Sequence, residues 1–193
     1  MRKEIILCLV GGGIGFVASI GTVIVTNWLN KIGKVRLYTK MVYSRNPGWK
    51  SWGFYQTDGD IIFQIPLWLE IQNTSKKTRV IRDVNIDLVS QGKLITSMTQ
   101  SNEIKFKENT DFFGTEGAYS FVAKPLSIKK YKCQFIIKKS EIKGNPEFNE
   151  IRLRYFNERD QEKSYHLRYV KDCWEPGPLA LDTDWKLLPC KGV

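Results

Sequence analysis

The chain has 193 residues, 42% of them hydrophobic and 26% charged, which excludes wholesale disorder and fits one domain, or one domain plus an anchor. Thirty Lys and Arg against 20 Asp and Glu leave a formal charge of +10, pointing to anionic partners: a membrane surface, nucleic acid or an acidic protein. One histidine, His166, excludes a multi-histidine metal site within one chain, and four cysteines fall far below the density of a disulfide scaffold.

Residues 1–30 read as an N-terminal transmembrane anchor. The 25 residues from Ile5 to Leu29 carry no charge. As a helix rising about 1.5 Å per residue they cross a hydrocarbon core of about 30 Å with some tilt. Trp28 stands near the end, where an indole reaches headgroup level. Gly11, Gly15 and Ser19 recur every four residues, a small-residue stripe that admits a second helix and predicts a helix-mediated homo-oligomer. Two rival readings compete. A cleaved signal peptide would use Arg2-Lys3 and a site at Val17-Ala18-Ser19, but the apolar run continues ten residues beyond it. A dinucleotide loop would use Gly13-Ile14-Gly15-Phe16-Val17-Ala18, but no solvent face follows, and Gly33-Lys34-Val35 stands where a ribose-binding acid belongs.

Arg2 and Lys3 precede the span; Lys31, Lys34, Arg36 and Lys40 follow it without an acidic residue among them. The positive-inside rule therefore favours a cytoplasmic C-terminal domain over an extracellular one. The same four residues are expected to touch anionic lipid. Residues 31–60 form a basic juxtamembrane strand, Val35 to Tyr43, then a turn region with Pro47-Gly48, Trp49, Trp52 and Asp58-Gly59-Asp60.

Residues 61–172 read as the core of an all-β domain. Strands are expected over 61–72, 79–89, 94–96, 103–107, 119–123, 131–138, 150–156 and 164–170. Pro66 suggests an edge strand or a bulge, and the change of parity near Arg82-Asp83 suggests a second bulge. About eight or nine strands without a soluble helix favour an antiparallel β-sandwich. The tail, 173–193, carries Cys173, Trp174, Pro176, Trp185 and Cys190, and its leucines predict that it packs back on the domain. Cys173 and Cys190 make a disulfide outside the cell and stay reduced inside it. Asn73-Thr74-Ser75 is a glycosylation triplet.

The strand ending in Asn73, the run Ile81-Arg82-Asp83-Val84, Pro125 with Ile128 leading into Phe135, and the closing hairpin together give the stretch from Pro66 to Val170 its character. This stretch resembles the immunoglobulin-like β-sandwich domains found behind a single membrane span in small bacterial proteins. The resemblance implies an immunoglobulin-like fold and carries no functional residue over.

If the closing hairpin folds symmetrically about Asp160, Ile151, Leu153 and Tyr155 face Tyr169, Leu167 and Tyr165 on the core side. Arg152 then faces Arg168, and Arg154 faces His166, on the other side. Like charges directly opposite are unfavourable, so this face suggests an anion ligand; the alternatives are that Glu150 or a loop carboxylate pairs with the arginines, or that the register differs by one. A catalytic set would have to use His166, with Cys133 as the nearest thiol candidate, or the Asp58 and Asp60 carboxylates. No P-loop, EF-hand or multi-ligand metal pattern is present, and no cofactor is implied. The aromatics interleaved with the basic residues fall on the core parity, which argues against nucleic-acid stacking platforms. The expected function is a single-pass, non-enzymatic binding module for another protein. The alternatives are an anchored sensor of a nucleotide or nucleic acid, and a hydrolase using His166.

Overall fold

The computed structural model of the chain describes residues 2–42, 51–57, 59–101, 103–106, 109–112 and 119–189. Helix α1 is Arg2–Lys31. The strands are β1 Val35–Met41, β2 Gly53–Thr57, β3 Asp60–Asn73, β4 Arg79–Ser90, β5 Lys93–Ser97, β6 Thr99–Gln100 and β7 Glu103–Phe106, followed by β8 Asn109–Phe112, β9 Phe121–Ala123, β10 Ser127–Lys138, β11 Glu150–Phe156, β12 Glu162–Tyr169, β13 Gly177–Pro178 and β14 Lys186–Leu187. Among the described residues the chain is mostly β, every strand pair is antiparallel, and α1 is the one long helix.

The side chains described along α1, among them Ile14, Phe16, Val17, Ile24 and Leu29, are exposed, and nothing in the domain covers them. Within α1, Thr22 Oγ1 donates to the Ala18 carbonyl at 2.9 Å, a bond made inside the helix. Helix α1 is long and apolar enough to cross a membrane, a property that a signal sequence shares.

Strand β3 is the spine of the first sheet. One edge pairs with β10 over residues 62–73. The other edge pairs with β1 over residues 67–73 and then with β2 over residues 60–64, so that these two short strands lie end to end. The tail repeats this arrangement one position further out, with β13 on β2 and β14 on β1. The second sheet runs β12-β11-β4, with β9 and β5 end to end on the far edge of β4.

Pro66 does not mark an edge. It sits in the central strand, at the seam where β1 gives way to β2. Its carbonyl accepts from Val42 N at 3.2 Å on that side, so its missing N–H falls where no strand asks for a donor. The bulge expected near Asp83 is present: Arg154 opposes Asn85 while Phe156 opposes Arg82, and Asp83 takes φ +50°. It shifts the buried parity of β4 from Ile81 to Val84, Ile86 and Leu88.

Alternate residues of β3 (Phe63, Ile65, Leu67, Leu69 and Ile71) join Val84, Ile86 and Leu88 of β4 and Ile151, Leu153 and Tyr155 of β11 in one apolar core. Aromatic contacts close one end of it: Phe54 stacks on Phe63 at 4.4 Å, and Trp174 lies 5.3 Å from Phe54. Strand β2 was expected to be part of a turn. It escapes the sequence pattern because it is only five residues long, too short for alternation to mark it.

Candidate functional site

The closing hairpin turns one residue earlier than expected. Asn157 Oδ1 accepts from Arg159 N at 2.9 Å and from Gln161 N at 3.0 Å, which centres the turn on Arg159 rather than Asp160. Phe156 then opposes Glu162, Leu153 opposes Tyr165, and Arg152 opposes His166. A bulge follows between Ile151 and Arg152, so Arg168 opposes Ile151 and not Arg152. The expected constellation therefore divides. Arg152, Arg154 and His166 share the outer face of the second sheet, while Arg168 turns to the opposite face.

Each arginine on the outer face meets a carboxylate. Arg152 forks onto Glu150, Nε donating to Oε1 at 2.7 Å and Nη2 to Oε2 at 2.8 Å. His166 Nδ1 lies 2.9 Å from the same Oε1, and its ring packs 4.3 Å from Tyr169. Glu150 is 7% exposed, and its carboxyl is held below the usual carboxylate range, first by the Arg152 hydrogen bond and then by His166 against the opposing cost of burial. Arg154 reaches Asp83 at 3.1 Å and Asp87 at 3.2 Å, and Asp87 also accepts from Ser97 Oγ at 2.6 Å. Three acids, two arginines and one histidine pair with one another in this network, the alternative that the sequence left open.

Arg168 performs a different task. It donates to Asp182 in the tail, its guanidinium lies 5.5 Å from the Trp52 ring, and Asp182 also holds Lys186 at 2.7 Å and the Met41 N–H at 2.9 Å. Burial raises the Asp182 carboxyl, but Lys186, the Met41 N–H and Arg168 outweigh it, and the net shift is downward. Trp52 Nε1 donates to the Ala180 carbonyl at 2.7 Å beside this clasp.

Of the residues considered for catalysis, Cys133 and His166 lie apart. Cys133 is buried in the core, which pushes its thiol well up, while His166 stands on the outer face. Asp60 accepts from Ser140 Oγ at 2.5 Å and is held low chiefly by that bond; Asp58 lies outside the described residues. Cys173 is half-buried, with its thiol pushed up to about 12 by burial, and its expected partner Cys190 lies outside the described residues. Among the described residues no group of three or more His, Cys, Asp or Glu side chains is placed to hold a metal.

A second region draws together residues that the sequence scattered. The connection from α1 to β1 is Ile32-Gly33-Lys34. Lys34 N donates to Thr74 Oγ1 at 2.9 Å, and Thr74 N returns a bond to Lys34 O at 3.0 Å. Leu126 N donates to Ser75 O at 3.0 Å. Asn73, 1% exposed, staples this rim: its amide Nδ2 donates to the carbonyls of Lys77, Ala123 and Lys124 at 2.8, 3.0 and 3.0 Å, and its Oδ1 accepts from Ser75 N and Oγ. The amide that the glycosylation triplet would offer is thus committed to the fold.

Of the residues expected to touch lipid, Lys34 lies in this connection and Arg36 is exposed just beyond it. Lys40 instead donates to the Thr183 carbonyl at 2.7 Å and holds the tail, and nothing is described for the Lys31 side chain. Gly11, Gly15 and Ser19 lie exposed along α1, and a Cβ at either glycine meets nothing within 4 Å. No protein-family model matches the chain, and no curated protein matches it.

Proposed function

We propose that the chain is a single-pass, membrane-anchored interaction module: an immunoglobulin-like β-sandwich that α1 holds at a membrane surface, where it binds a partner protein without catalysing a reaction. The observation that carries this reading is an apolar helix that no part of the domain covers, joined to β1 by a connection of only three residues. An aqueous protein with that much apolar surface free would associate or aggregate. The two-sheet core and the closing hairpin support the sandwich reading.

The anion-sensor alternative rests on unpaired arginines, and Arg152, Arg154 and Arg168 each meet an internal carboxylate. The hydrolase alternative needs a nucleophile beside His166, whose ring meets the Glu150 carboxylate and the Tyr169 ring. The test is alkaline carbonate extraction of membranes from cells making the full chain, together with the intact mass of the product. Retention in the pellet at full-length mass supports the anchor. Release into the supernatant, or a mass lacking the first twenty or so residues, favours a cleaved signal peptide and overturns it.

A further inference from the structure

The loops that surround the exit of α1 form one surface. Residues 32–34, 74–78 and 124–126 are stitched together by the Thr74–Lys34 bonds, the Leu126–Ser75 bond and the Asn73 amide. Three residues of extended chain reach about 11 Å at most, so this rim cannot leave the neighbourhood of the helix end. Gly33 tightens the tether further. It takes φ +119°, and a Cβ there would lie 2.5 Å from the Ser75 backbone.

The composition of this rim is one-sided. It presents Lys34, Lys76, Lys77 and Lys124, all exposed, and its three loops hold no Asp or Glu. The nearest acids on the neighbouring hairpin turn are already taken: Glu158 pairs with Arg79, and Asp160 with Arg82. Between the lysines stands Leu126, 67% exposed at φ +48°, a backbone region that a leucine occupies only under strain. Ile128, two residues further along the chain, is 59% exposed, and Ile32 in the helix connection is 52% exposed. A fold that needed only a turn there would use Gly or Asn; an exposed leucine held out among lysines is the composition of an interfacial contact.

We infer that this rim is a lipid-docking surface: Lys34, Lys76, Lys77 and Lys124 rest on the anionic headgroups of the leaflet from which α1 emerges, and Leu126 dips into the interface between them. The inference rests on the anchored reading above, and it extends lipid contact from the chain that follows the helix to loops some forty and ninety residues away. Charge complementarity selects the occupant: four lysines within reach of a headgroup layer and no competing carboxylate in the loops that carry them. Lys40 takes no part, being bonded to the tail about 17 Å further along β1 at 3.3 Å per residue.

The test is amine footprinting by mass spectrometry on the full chain in nanodiscs, one set of phosphatidylcholine alone and one with about a third phosphatidylserine. Lys34, Lys76, Lys77 and Lys124 are expected to acetylate about fivefold more slowly in the anionic discs, with 0.5 M salt restoring the rate. Lys93, the exposed first residue of β5, and Lys143, exposed beyond the end of β10, lie at the opposite end of the domain and serve as references whose rates stay unchanged. Neutral discs with added glycerophosphate should give no slowing; slowing there would assign the site to a free phosphate ligand and overturn the lipid reading. In Lys76→Glu/Lys77→Glu/Lys124→Glu, which alters only exposed side chains, Lys34 should lose its dependence on composition while the protein stays in the disc. Equal rates in both lipids with the chain still anchored overturn this inference alone. A chain that does not remain in discs overturns the anchored reading instead.

Discussion

Single side chains hold the rim and the outer face together. A valine at position 33 would meet a backbone that cannot give way, at a φ that β-branched residues do not adopt. Gly33→Val is therefore expected to lower stability by about 2–4 kcal/mol, read as a shift of the urea midpoint for the full chain in neutral detergent micelles. Asn73→Ala removes one amide from three carbonyls and frees a buried Ser75. A loss of about 3 kcal/mol by the same measurement is expected. Leu126→Asn is the contrast: it replaces a strained, exposed apolar residue with one that tolerates the left-handed region, so its stability should change by less than about 1 kcal/mol. Glu150 sets a pH dependence. Its folded carboxyl titrates below its unfolded value, so the stability it contributes is complete above the unfolded value of about 4.3 and is lost as pH falls through the folded one. Below about pH 5 the wild-type urea midpoint should fall more steeply than that of Glu150→Gln. Equal slopes would mean that Glu150 gains nothing from Arg152 and His166 on folding.

At the scale of elements, periodicity made the long strands legible and failed wherever a short strand borrows its order from a neighbour. Strands β3, β4 and β11 declare themselves because alternate residues enter a common core, and the Asp83 bulge was visible as a slip in that alternation. The register of the closing hairpin was not legible, since it depends on the Asn157 side chain fixing the turn and on a bulge that no alternation marks on β12. That one slip moves Arg168 from the outer face to the tail. The Glu150–Arg152 fork was within reach of the sequence, two residues apart on one strand face; the Asp182 partner of Arg168 was not, because nothing local ties the tail to the hairpin. The tail illustrates the same dependence. Strands β13 and β14 are two residues each, and Asp182 between them gathers Arg168, Lys186 and the Met41 N–H. Asp182→Ala leaves a part-buried guanidinium and a buried N–H without their acceptor, at an expected cost of about 2–4 kcal/mol. Limited proteolysis should then cut within residues 177–188 before any other described segment; an unchanged cleavage pattern would mean that the strand pairings, Lys40, Trp52 and Trp174 hold the tail without Asp182.

For the whole molecule, the charge that the sequence places after the span is only part of what the fold brings to that end. Lys34 and Arg36 lie next to the helix in the chain, whereas Lys76, Lys77 and Lys124 reach the same rim only through β3, β4 and β10. On the anchored reading, the positive-inside rule counts the first group, which would act during insertion, and the second group would act after folding, through the surface charge of the leaflet it met. Both point the same way, since the cytoplasmic leaflet is the anionic one. The expected outcome is therefore that a C-terminal tag on the full chain resists protease in intact cells and is lost from vesicles that expose the cytoplasmic face. If intact cells lose the tag instead, the domain stands outside, facing a leaflet that offers the rim little charge. Lipid docking would then have to rest on Leu126 and its apolar neighbours, and the slowing of lysine acetylation in anionic discs, however large, would describe a surface that the protein does not meet in the cell.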